Sequence, residues 1–224
     1  MILRIQLMKI KTFLLTIVVI FSVFTTFSCS NNEIEDREYN ETEVIEEAKK
    51  LIKKSEALND IYYGYGIECD TSDANNSNGY YFPADMLSLE KFGVETVEEI
   101  KALTRECFTK AQSDYMIERC FSSIRDDTGD ISFYARYYQE YDSLNTSKEK
   151  CIMVYTKYEP LLVDKIEYLY DTVRVTDVEG EIIKVSITVN ATNSEGDSRT
   201  KDIEIDLIEE DNGFRIDSPT YARY

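Results

Sequence analysis

Ile183, Val185, Ile187 and Val189 alternate with Lys184, Ser186, Thr188 and Asn190, and Ile203, Ile205 and Leu207 alternate with Asp202, Glu204 and Asp206. A strict period of two puts every apolar side chain of an extended chain on one face and every polar one on the other. Two such runs in succession, each with a wet face, call for an antiparallel sheet covered on one side only. Turn-forming residues separate the runs: Glu179-Gly180, Ser194-Glu195-Gly196 and Asp211-Asn212-Gly213. The C-terminal part of the chain therefore reads as a meander with strands at 166–178, 181–192, 199–209 and 213–217.

The pattern ahead of the sheet has a different period. Asn40 can cap a helix with Glu43 at its third position, and Val44, Ile45, Ala48, Leu51, Ile52 and Leu58 recur at helical spacing. Lys49, Lys50, Lys53 and Lys54 fall on the polar face, where pairing with neighbouring glutamates is expected. Residues 62–82 read as irregular. Thr96 with Glu99 forms a capping box for a second helix, with Val97, Ile100, Leu103 and Phe108 on one face, and another helix runs through Tyr115, Ile117 and Phe121. Beyond 126–130 the period becomes two again, with aromatic-rich strands at 131–138 and 151–155. Helices first and a long antiparallel sheet after them is α+β segregation. The expected architecture is N-terminal helices packed on a twisted antiparallel sheet, as a single domain over 42–224. No internal repeat of about 20–50 residues is visible.

Chemistry is constrained mainly by what is missing. The chain has no histidine, which removes Ser-His and Cys-His nucleophile pairs and the commonest zinc ligand. No phosphate-binding loop, dinucleotide glycine motif or nucleophile elbow occurs. No catalytic residue, metal ligand or cofactor is assigned from the sequence. Two acidic loops carry part of a calcium-binding pattern. Asp73, Asn75 and Ser77 match the first positions of a calcium loop, but Gly79 comes one residue late and Ala84 stands where the bidentate acid belongs. Asp126, Asp127 and Asp130 around Gly129 read as turn chemistry. Seventeen Tyr and ten Phe with no Trp are unusual. Tyr134, Tyr137, Tyr138, Tyr155, Tyr158, Tyr168 and Tyr170 fall on strand-like segments, and sheet packing is weighed there against an aromatic cleft for a ligand.

The charge is lopsided, with 43 acidic against 25 basic residues and a net charge of −18. That opposes binding to nucleic acid and favours a protein partner with a basic face. The N-terminus is the exception. Lys9 and Lys11 precede an uncharged apolar run from Phe13 to Phe24, followed by Thr26-Phe27-Ser28-Cys29. A basic start, a short apolar core and a small residue before the cleavage point make an export signal. The segment resembles a bacterial lipoprotein signal, which implies removal of residues 1–28 and lipidation of Cys29. Cleavage without lipidation and an uncleaved anchor are the alternatives. Removal of residues 1–28 takes away Arg4, Lys9 and Lys11 and no acid, leaving 22 basic against 43 acidic side chains, a net −21. Residues 29–41 read as an acidic tether. The expected location is the extracytoplasmic face of the cell membrane, with a lipid anchor as the membrane contact. Cys69, Cys107, Cys120 and Cys151 remain: two disulfides or four free thiols, with free thiols favoured because a domain of this size needs no staples.

The C-terminal run from Gly213 to Tyr221 resembles the closing strand of lipoproteins of Gram-positive anaerobes. Tyr81-Phe82-Pro83, the helix opening at Thr96, Phe108-Thr109 and Ala135-Arg136-Tyr137-Tyr138 follow in an order similar to the DL-endopeptidase inhibitor (IseA) family. The resemblance covers about residues 42–221. It implies a cystatin-like or nuclear-transport-factor-like cone and an extracytoplasmic binding module that blocks a cell-wall hydrolase. No motif carries contact residues over to this chain. The alternative is a pocket protein of nuclear-transport-factor-like fold that binds a small ligand.

Overall fold

The structure is a computed structural model that describes residues 39–72, 77, 79–125, 127–141, 150–162, 164–210 and 213–221. The export signal, Cys29 and the tether up to residue 38 lie outside the described residues, as do Asp73, Asn75 and Asp126 of the two acidic loops.

Helix α1 spans Glu41–Tyr63, and Asn40 caps it by accepting a hydrogen bond from the Thr42 amide at 3.2 Å. Its buried stripe holds Val44, Ala48, Leu51, Ile52, Leu58, Ile61 and Tyr62, the helical repeat read from the sequence except for Ile45, which is half-buried at its edge, and one turn more. Each large apolar side chain there contributes about 1.5–3 kcal/mol on burial. On the polar face Lys49 pairs with Glu46, Lys50 with Glu47 and Lys54 with Glu106. The short strand β1 (Tyr81–Pro83) and helix α2 (Met86–Phe92) follow. Periodicity does not announce α2, whose only buried residue is Ser88; Asp85 caps it through the Ser88 amide. Helix α3 (Val97–Cys107) begins in the expected capping box of Thr96 and Glu99. Thr109 caps helix α4 (Lys110–Phe121) and also donates to the Asp217 carboxylate, which pins the α3–α4 corner to the end of the chain.

The alternating half, joined by β1, forms three sheets. The expected meander is present as β6 (Lys165–Glu179), β7 (Ile182–Thr192), β8 (Ser198–Glu210) and β9 (Gly213–Ile216), neighbours in chain order and all antiparallel. Gly180, at φ +65°, opens the two-residue turn between β6 and β7, where strand twist requires a left-handed residue. Val173, Ile183, Val185, Ile187, Val189, Ile203, Ile205, Leu207 and Ile216 share one core with the stripe of α1. The second sheet has the order β1–β5–β4, with β4 at Tyr137–Tyr141 and β5 at Lys150–Tyr155. The third is a two-stranded ribbon, β2 (Ile124–Arg125) with β3 (Ile131–Phe133).

One expectation is corrected. Residues 131–138 are not a single strand, because the chain leaves β3 at Tyr134 and enters β4 only at Tyr137. The reason lies in the hydrogen bonds. The Ala135 amide donates to Ser123 Oγ at 3.0 Å and the Arg136 amide to the Cys120 carbonyl at 2.7 Å, so the C-terminal end of α4 takes the donors a continuous ladder would have used. The four described cysteines are free thiols; Cys107 and Cys120 are buried, Cys69 and Cys151 half-buried.

Candidate functional site

The break between β3 and β4 turns Arg136 inward. It is 3% exposed, and most of what surrounds it comes from the ends of elements. Helix α1 supplies Tyr62 and Tyr63, α4 supplies Met116, Arg119 and Cys120, and the β3–β4 break supplies Tyr134; the end of β5 and the loop after it add Tyr155 and Tyr158. Together they enclose an open cleft of about 380 Å³, within the range of about 300–1,000 Å³ common for small-molecule sites.

The floor is built on the C-terminus of α1, whose last carbonyls have no partner within the helix. Tyr137 Oη donates to Ile61 O at 3.2 Å and Tyr158 Oη to Tyr62 O at 3.1 Å. The amides of Leu161 and Leu162 both reach Tyr63 O at 2.8 Å. Arg136 Nη2 completes the cap, donating to Gly64 O at 2.8 Å and Tyr65 O at 2.7 Å. The guanidinium lies over the ring of Tyr158, 3.8 Å from its centroid, and 5.1 Å from that of Tyr137.

A buried cation without a counter-ion costs several kcal/mol. Three features offset that here: the negative end of the helix dipole, two charge-assisted hydrogen bonds and two aromatic faces. No described carboxylate forms an ion pair with Arg136, and its Nη1 is buried without a hydrogen-bond partner in the protein. Arg119 and Lys157 add exposed positive charge to the lining, against the single acid Glu159. In a chain of net charge −18 this is a local reversal of sign.

The Cys120 thiol and the Tyr62, Tyr63, Tyr155 and Tyr158 phenols of the pocket are neutral at pH 7. Burial pushes the Cys120 thiol up to about 12, opposed by Arg136. Burial also raises the Tyr62, Tyr63, Tyr155 and Tyr158 phenols. A nucleophilic cysteine needs the opposite environment, exposed and electropositive enough to hold a thiolate. The walls therefore offer ring faces and neutral hydroxyls, and Arg136 offers a fixed charge. Tyr134 and Tyr155 stack at 5.0 Å with 9° between their planes.

Of the seven tyrosines singled out from the sequence, Tyr134, Tyr155 and Tyr158 line this cleft and Tyr137 lies in the core beneath it. Tyr138 packs edge-on against Tyr81 at 4.8 Å. Tyr168 and Tyr170 lie elsewhere along α1: Tyr168 donates to Thr220 O at 2.8 Å and Tyr170 to the Glu56 carboxylate. Periodicity and motif do not mark Arg136, Arg119 and Lys157 as site residues. The available signal was the charge of Arg136 in the middle of an otherwise aromatic and apolar run. Lipidation of Cys29 lies outside the described residues. Among the described residues no group of three or more Cys, Asp or Glu is placed to hold a metal ion, and no helix is long and apolar enough to cross a membrane.

The fold and the cleft together define an α+β protein with an aromatic, cation-floored pocket. Comparison with family models, curated proteins and solved structures finds no match.

Proposed function

We propose that this chain is an extracytoplasmic binding protein, anchored in the cell membrane through lipidated Cys29, that takes a small ligand in the Arg136 cleft. The observation that carries the reading is the cleft itself, preformed, walled by tyrosines and floored by a buried cation with one unpartnered nitrogen. Pockets of this size with a few converging polar groups are the usual form of a small-molecule site. The raised thiol and phenols support binding over nucleophilic catalysis, since none of them is ionised at neutral pH. The long helix α1 laid across a four-stranded meander supports the cone-shaped, cystatin-like or nuclear-transport-factor-like variant of the α+β class.

A ligand-observed NMR screen of small aromatic compounds against the purified full chain tests the pocket. Compounds that bind the native protein and are displaced in Ser132→Trp, which fills the cleft mouth, support it. Equal binding by both forms rejects it. Palmitate labelling of cells expressing the native chain and Cys29→Ala tests the anchor: the label is expected on the first only. A wall-hydrolase partner, the function implied by the resemblance, is supported by the net charge of −18. It requires the chain to slow a purified DL-endopeptidase at low ionic strength, and unchanged turnover rejects it.

A further inference from the structure

Resting on that pocket reading, we infer that the ligand is a small organic anion, a planar or aromatic body carrying one carboxylate or phosphate, with its acid group on the unpartnered Nη1 of Arg136. A guanidinium has five donors in one plane. In Arg136 the Nη2 end is used by Gly64 O and Tyr65 O, and a ring face is covered by Tyr158. Nη1 is the part left over, buried and unpartnered, on a residue that lines the cleft.

Capping alone does not account for this arrangement. Two carbonyls and about half a unit of dipole charge satisfy part of a cation, and a backbone amide would cap α1 without burying an orphaned donor. With both Nη2 hydrogens taken, Nη1 keeps two N–H donors on a full positive charge, which an oxyanion satisfies by charge-assisted hydrogen bonds. The lining repeats the preference, with Arg119 and Lys157 beside Arg136 and only Glu159 opposed. The body of the ligand is read from the walls. Tyr134 and Tyr155 present stacked rings, and Tyr62, Tyr63 and Tyr158 add further aromatic surface with neutral hydroxyls. Such walls suit a flat apolar group and reject a bare inorganic ion, which would leave them wet.

The test compares matched probes on the full chain by isothermal titration: phenylacetate, its neutral isostere phenylacetamide, phenyl phosphate and inorganic phosphate. The expected result is that both aromatic anions bind and that phenylacetate binds roughly tenfold or more tighter than phenylacetamide, the size of one charge-assisted pair. Arg136→Gln is expected to bring that ratio to about one while Tyr134→Ala weakens acid and amide alike. Preference for phenylacetate over phenyl phosphate, or the reverse, identifies the acid group. Equal affinity of acid and amide in the native chain overturns the anion assignment and leaves the pocket reading standing. Absence of binding by every aromatic probe overturns both. Inorganic phosphate as the only binder overturns the aromatic body. Because the decisive comparison uses the native chain, it survives a failure of Arg136→Gln to fold.

Discussion

Gly66 fixes the floor of the cleft. Its φ is +66°, and a Cβ there would stand 2.2 Å from Tyr137 Oη and 2.5 Å from Arg136 Nη2. Gly66→Ala combines a left-handed backbone with a collision against two immobile groups and is expected to cost about 2–4 kcal/mol, read as a lower urea midpoint. The buried thiols begin the alkaline loss of stability, ahead of the buried tyrosines. Cys107 and Cys120 are both pushed by burial from an ordinary 9.0 up to about 12. Between those values the unfolded chain releases protons that the folded chain keeps. Stability is therefore full below pH 9 and falls as pH rises toward 12, by about 1.4 kcal/mol per pH unit for each thiol. Urea denaturation at pH 8 and pH 10.5 checks it, with a shallower decline expected in Cys120→Ala. At this scale the sequence was a poor guide. Arg136 stood among aromatics that read as strand, and only the competition of Ser123 and the Cys120 carbonyl for amides turned it inward.

The secondary elements were more legible, because their signals are local. The meander could be read almost to the residue, since β7 and β8 each carry a strict period of two and the turns between strands carry their own chemistry. The capping box of Thr96 and Glu99 was equally plain, and Thr96→Ala is expected to destabilise by about 1 kcal/mol, measured by thermal unfolding. The larger of two register shifts in β6 was not legible. Residues 170–173 leave the ladder between Leu169 and Arg174, and Thr172 bridges the gap. Its Oγ1 accepts from the Thr188 amide at 2.9 Å and donates to Leu169 O at 2.6 Å. A side chain standing in for the ladder in this way leaves no trace in hydrophobic periodicity. Thr172→Val keeps the shape and removes both bonds, so a loss of about 1–2 kcal/mol is expected, with Thr172→Ser retaining most of the stability.

For the whole molecule, the α+β class followed from the order of the two periodicities, and the net charge followed from composition. The cleft did not, because it is assembled from the ends of α1, α4, β3 and β5, which are remote in sequence. Charge still makes a global prediction. Self-repulsion at −18 is screened by salt, so the melting temperature is expected to rise between about 20 and 300 mM sodium chloride. A fall would place the dominant charge interactions among the surface pairs instead. The claim that Tyr134 and Tyr155 wall a working binding site is tested most directly by tyrosine-selective 13C NMR during titration with phenylacetate. The Tyr134 and Tyr155 rings are expected to shift together and saturably while Tyr168 and Tyr170, outside the cleft, stay fixed. Shifts confined to Tyr168 and Tyr170, or unmoved Tyr134 and Tyr155 at saturating probe, would contradict it.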